Sequence, residues 1–196
     1  MELSRADDRT VGVEPVAPQA ASVSRRLLDA GLRPVGPASG CIDAVRDAAA
    51  RCAPFGALGP DDIARLCEYM TVYEADPAVT LFAEGDPADF VVLVLSGLVE
   101  VLRRNRNLYP TRLALAQAGE AVGEMSMFDD APRFSACVAL EPTRIAVLPR
   151  ESLERLLLRD PALGNRLLLR WAKLLSRRLR DTGSRLFTQL EAARAG

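Results

Sequence analysis

The chemistry of this sequence gathers between positions 122 and 136, which read Val122-Gly123-Glu124-Met125-Ser126-Met127-Phe128-Asp129-Asp130-Ala131-Pro132-Arg133-Phe134-Ser135-Ala136. Gly123 permits a backbone turn that side-chain-bearing residues resist. The residues after it can close one helical turn with free N–H groups, and Arg133 brings a guanidinium back to the same place. Free amides at a helix start accept an anion, and a guanidinium adds a charge-assisted, bidentate partner, so a phosphate suits this stretch. Glu124 is an acceptor only. It would repel a bare phosphate, but it can receive hydrogen bonds from a sugar hydroxyl on the same ligand. The competing reading of Glu124 and Arg133 is a pair of opposite charges buried in an empty pocket.

Other chemistries are poorly served. The chain has no histidine, which removes Ser-His and Cys-His nucleophile pairs, the usual general base near neutral pH and every His-containing metal site. The four cysteines, Cys41, Cys52, Cys67 and Cys137, form no C-x-x-C pair and no cluster with metal-ligand spacing, so they read as buried structural thiols. Catalysis would rest on Glu124, Asp129 or Asp130 alone, and these acids have simpler roles as ligand acceptor and turn residues. The expectation is a protein that is not an enzyme and needs neither metal nor cofactor.

The elements that must position this stretch are legible from period and turns. The chain has 196 residues, 49% hydrophobic and 26% charged, enough for one domain with appendages. Residues 1–22 mix Ala, Val, Pro and charges without periodicity, and with the Pro/Gly stretch at 33–37 they read as a mobile leader around a short helix at 22–30. Brief helices follow at 42–50 and at 60–69, the second opened by Pro60-Asp61-Asp62. From Thr71 to Pro149 the period falls to about two, with turns at regular intervals, giving strands at 72–74, 80–83, 90–95, 98–103, 112–116, 134–140 and 144–148. Helix resumes at Glu151. From Asp160 to about Leu190 the sequence is strongly amphipathic: Leu168, Trp171, Leu175, Leu179, Thr182, Leu186 and Leu190 fall on one face, and Arg166, Arg170, Lys173, Arg177 and Arg180 form a ridge opposite. Gly183 leaves the end of this helix open. Residues 1–150 hold 15 basic and 21 acidic residues (−6), and residues 151–196 hold 10 and 5 (+5). The basic ridge reads as a solvated outer face. No apolar stretch is long enough for a secretory signal or a membrane span, so a soluble, cytoplasmic protein is expected.

The stretch from Gly123 to Ala136 resembles the phosphate-binding cassette of cyclic-nucleotide-binding domains: Gly-Glu, a hydrophobic, a small residue, then Pro-Arg and small residues. The run from Gly85 to Val101 resembles that family's glycine-marked third and fourth strands, and Gly119-Glu120-Ala121-Val122 its approach to the cassette. Together the resemblance covers about residues 54–182. It implies an α+β fold: an eight-stranded antiparallel β roll, jelly-roll-like, with short N-terminal helices and a long C-terminal dimerisation helix. The expected divisions are an N-terminal extension at 1–53, the β roll at 54–159 and the C-terminal helix and tail at 160–196.

The resemblance also assigns roles. Arg133 would pair with the exocyclic phosphate oxygens, Glu124 would take the ribose 2′-OH, and the amides after Gly123, including those of Met125 and Ser126, would complete the cradle. Ser135 matches a position where the family keeps side chains small. The residue after the arginine is usually Ala, Ser or Thr in the family and is Phe134 here; its ring shrinks the pocket, stacks on a base or turns into the core, and it lacks the hydroxyl that favours cGMP. The C-terminal helix resembles that of the catabolite-activator branch, in which two copies pack side by side and a Thr-Ser pair reaches the adenine; Thr182 falls near that pair. With fourteen residues after Thr182, no helix-turn-helix DNA-binding module is expected. The expected function is a stand-alone cyclic-nucleotide sensor, with cAMP the first choice of ligand and cGMP the second, that dimerises and passes binding through its C-terminal helix to an unidentified regulatory partner protein. The alternative is a ligand-independent dimerising adaptor with a degenerate pocket.

Overall fold

A computed structural model describes residues 19–129 and 131–195. Its elements run α1 (Gln19–Asp29), β1 (Arg33–Pro37), a 3-10 turn (Ala38–Cys41), α2 (Ile42–Arg51), α3 (Pro60–Cys67), β2 (Thr71–Ala75), β3 (Thr80–Phe82), β4 (Phe90–Ser96), β5 (Leu98–Arg104), β6 (Pro110–Gln117), β7 (Ala121–Val122), a 3-10 turn (Met125–Met127), β8 (Ala136–Ala139), β9 (Thr143–Pro149), α4 (Arg150–Arg159) and α5 (Pro161–Ala195). The strands form two antiparallel sheets, one in the order β1-β2-β9-β4-β7 and the other in the order β3-β8-β5-β6. Helices cover the outer face of the first, and the expected α+β roll is the observed architecture.

β4 explains why the sheets stack with helices behind them. All residues from Phe90 to Leu95 are buried, because this strand is covered on both faces and so loses the usual apolar–polar alternation. Its odd positions, Val91, Leu93 and Leu95, pack with the helices, beside Leu66 of α3, Leu156 of α4 and Trp171 of α5. Its even positions, Phe90, Val92 and Val94, point between the sheets, beside Val99, Ala139 and Val147. Gly97 turns β4 into β5 at φ +89°, with Thr143 and Pro142 where a side chain would stand. Burial pushes the thiols of Cys52 and Cys137 up to about 12 and that of Cys67 to about 11, in keeping with their structural reading.

The N-terminal region is more structured than composition suggests. Residues 33–37, expected within a mobile leader, form edge strand β1 on β2, with an irregularity between Pro34 and Gly36. Two prolines are tolerated there because an edge strand leaves half its N–H groups unused. Val23 and Leu27 of α1 reach the core between the sheets, and Val45, Ala48 and Ala49 of α2 reach the helical core. The expectations for residues 1–18 lie outside the described residues.

α5 is placed by its first turn. The Asp160 carboxylate accepts the Leu163 amide at 3.0 Å, in the manner of an N-cap before a first-turn proline. Arg65 of α3 holds the other oxygen of Asp160 at 2.6 Å, and Arg166 reaches Asp62 at 2.7 Å. Leu163, Leu167 and Trp171 are then buried. The helix runs through Gly183 to Ala195, with every residue from Ser176 to Glu191 exposed. Among the described residues no helix is long and apolar enough to cross a membrane.

Candidate functional site

Gly123 ends β7 at φ +82°, and a side chain there would stand 2.5 Å from Arg133 Nη1. The position therefore needs glycine both for its backbone and for the approach of the guanidinium. The next residues close the short turn Met125–Met127 on themselves: the Met127 and Phe128 amides donate to the Glu124 and Met125 carbonyls at 3.2 Å each. Those bonds do not involve the amides of Met125 and Ser126. The far end of the cassette is pinned to the β3–β4 connection, where the Gly85 amide donates to Arg133 O and the Arg133 amide to Asp86 O, each at 2.9 Å. This holds residues 133–135 outside the β8 ladder, so the strand expected at 134–140 starts at Ala136.

Arg133 is 2% exposed. Its Nη1 donates to Gly123 O at 2.8 Å and its Nη2 to Phe90 O at 2.6 Å, while its guanidinium carbon lies 4.1 Å from the Phe82 ring centroid and 4.4 Å from that of Phe90. Nε is buried without a hydrogen-bond partner. Desolvation lowers the Arg133 pKa to about 10. Such a group is held at hydrogen-bond distance by neutral carbonyls and ring faces, with Asp89 and Asp86 acting on it only through longer-range attraction, and an anion would supply a direct countercharge. Glu124, also 2% exposed, is paired with Arg178 of α5. Glu124 and Arg133 therefore stand near each other without forming the internal ion pair considered from sequence.

These groups border a cavity of about 350 Å³. Gly123, Glu124, Met125, Arg133, Phe134 and Ser135 line it, together with Phe82, Cys137, Arg178 and the apolar wall of Val101, Leu113, Ala114 and Leu115. The volume falls in the range of small-molecule sites. Phe134 does not enter the core. It is 46% exposed, with the Arg103 guanidinium 3.7 Å from its ring centroid. Nothing is described for the Ser126 side chain or for Asp130. Thr182 is exposed on α5, one turn beyond Arg178, and is not part of the cavity lining.

α5 meets the cassette through Arg178 on Glu124 and through Trp171, whose ring lies 5.3 Å from that of Phe128. Sequence reasoning missed Arg178, although a signal was present. Seven residues from Trp171 it lies only about 20° around the helix, a charge at the border of the apolar stripe. Arg103 and the β6 wall carried no such mark. Among the described residues no group of three or more metal-ligating side chains is found.

Comparison with known proteins gives a consistent result. Residues 74–160 match the family described as the cyclic nucleotide-binding domain. The structure resembles that of a cyclic nucleotide-binding domain from Methylobacillus flagellatus KT, with a TM-score of 0.71 and 36% identity over 81% of this chain and 89% of that one. It also resembles the Thermus thermophilus catabolite activator protein, with a TM-score of 0.63 and 31% identity, covering 68% of this chain and 61% of that one. Over 137 residues it is 30% identical to a CRP-like cAMP-activated global transcriptional regulator of Mycobacterium tuberculosis, covering 70% of this chain and 59% of the regulator's length.

Proposed function

Because the chain belongs to the cyclic nucleotide-binding domain family and is a regulatory domain of that kind, we propose that it is a sensor of cAMP, with cGMP the second candidate. The observation that carries this reading is Arg133, a buried guanidinium with an unpartnered Nε, set against the Gly123 turn and beside Glu124 in one cavity. The cyclic phosphate would take Arg133 and the amides of Met125 and Ser126, and the ribose 2′-OH would donate to Glu124, whose carboxylate retains acceptor sites beside the one Arg178 uses. The similarity to a cAMP-activated regulator supports the choice of ligand. An adaptor whose pocket has been closed by Phe134 draws no support from a ring that is 46% exposed.

The contacts of α5 with the cassette suggest the route outward. A ligand that binds one arrangement of the cassette better shifts the population toward it, and Glu124–Arg178 and Phe128–Trp171 would carry that shift to the helix and on to a partner protein. Thr182 would join the site only through such a change or through a second copy of the chain. The distal half of α5 exposes Leu179, Leu186, Phe187 and Leu190, an apolar stripe suited to a symmetric helix pair. We expect a homodimer, and sedimentation equilibrium would show a monomer if this is wrong. Calorimetric titration of the purified protein with cAMP and cGMP tests the function itself. Saturable 1:1 binding per chain is expected with cAMP; no heat with either nucleotide on folded protein would overturn the reading.

A further inference from the structure

Resting on the nucleotide reading above, we infer that Phe134 is the platform on which the base stacks, so that the site selects purine over pyrimidine and separates adenine from guanine only weakly. The polar groups of the cavity are unevenly spread. Arg133, Glu124, Ser135 and the Gly123 turn belong to the cassette, where phosphate and sugar would be held, and Glu120 and Arg178 are the other charged residues of the lining. One apolar part of the lining, Val101, Leu113, Ala114 and Leu115 of the paired strands β5 and β6, offers side chains with neither donor nor acceptor. A base carried into that space meets apolar surface and the Phe134 ring.

The ring is prepared for this role. The Arg103 guanidinium stacks on it at 3.7 Å, and Arg103 Nε lies 3.8 Å from Glu84 Oε1, which ties the stacking cation to the neighbouring connection. The ring is thus oriented by a cation on one side and still borders the cavity. Stacking is tolerant of base identity because every base has a π face, and its strength grows with overlap, which favours two fused rings over one. Discrimination between adenine and guanine needs placed hydrogen-bonding groups, which this wall's side chains lack.

The test is calorimetric titration of cAMP, cGMP and 3′,5′-cyclic CMP into the wild-type protein and the Phe134→Ala, Phe134→Trp and Arg133→Ala variants, with circular dichroism as a check of folding. In the wild type, cAMP and cGMP should bind within about tenfold of each other and cyclic CMP about tenfold more weakly. Phe134→Ala should weaken both purine nucleotides about tenfold or more and erase their advantage over cyclic CMP, and Phe134→Trp should keep both. Unchanged or tighter cAMP binding by Phe134→Ala, with the purine preference intact, overturns the stacking role. If wild-type binding is then still lost in Arg133→Ala, the nucleotide reading survives alone; if the wild type takes no nucleotide, both fall.

Discussion

Replacing Arg133 with alanine is expected to weaken cAMP binding at least a hundredfold while changing folding stability far less. Two charge-assisted hydrogen bonds to a phosphate contribute about 1.5–3 kcal/mol each, which sets the size of the binding loss. The stability effect is small because two contributions oppose each other. Removing the side chain strands Gly123 O and Phe90 O, which now accept at 2.8 and 2.6 Å, at about 1–3 kcal/mol for each buried acceptor. It also removes a guanidinium that burial penalises, as its pKa of about 10 shows, a relief on the order of 3 kcal/mol. Calorimetry and urea denaturation on the same preparations check the two halves of this expectation, and a binding loss below tenfold would detach Arg133 from the ligand. The same group sets a pH dependence. Its proton is held more weakly in the free site than an anion would hold it, so affinity should stay level below pH 10 and fall as pH rises through about 10.

Severing Arg178 from Glu124 is the second large effect, and it is expected in the ligand-free protein. Glu124 is 2% exposed and is ion-paired with Arg178, whose own side chain is 48% exposed. Breaking a fully buried pair costs about 3–5 kcal/mol because one charge is left uncompensated. The exposure of Arg178 reduces this, so Arg178→Ala should destabilise by about 2 kcal/mol. Glu124→Gln removes the stranded charge, and the double variant should therefore be less destabilised than the sum of the singles by at least about 1 kcal/mol in a urea-denaturation cycle. Additive values within about 0.5 kcal/mol would mean that α5 is not fastened to the cassette through this pair.

The cassette could be read from sequence because its residues are contiguous and each type answers a local need: a glycine at positive φ, an acid, and an arginine returning after a short loop. β4 was equally legible, since a strand covered on both faces prints as an unbroken apolar run. Features that depend on distant segments were not. β1 hid behind two prolines and a glycine, and what makes it a strand is the edge of β2 waiting to be paired. The two-residue β7 is too short to show a period. Arg103 meets Phe134 across 31 positions, and Leu113 and Leu115 join the cassette in lining one cavity only because β6 pairs with β5. The fate of the Phe134 ring was settled by Arg103, which the local sequence could not disclose.

The chain contains one tryptophan, Trp171, packed edge-on against Phe55 at 5.7 Å and tilted over Phe128 at 5.3 Å, 1% exposed and with its indole N–H unbonded. In optical terms this is the single indole fluorophore, excitable apart from the three tyrosines at the red edge of absorption, in a dry, apolar setting where the Phe128 turn touches α5. Its emission belongs to one site with no background from a second indole. Solvent entry or a changed tilt of the Phe128 ring would alter its wavelength and anisotropy, so the protein carries its own unlabelled readout of whether cassette and helix stay together.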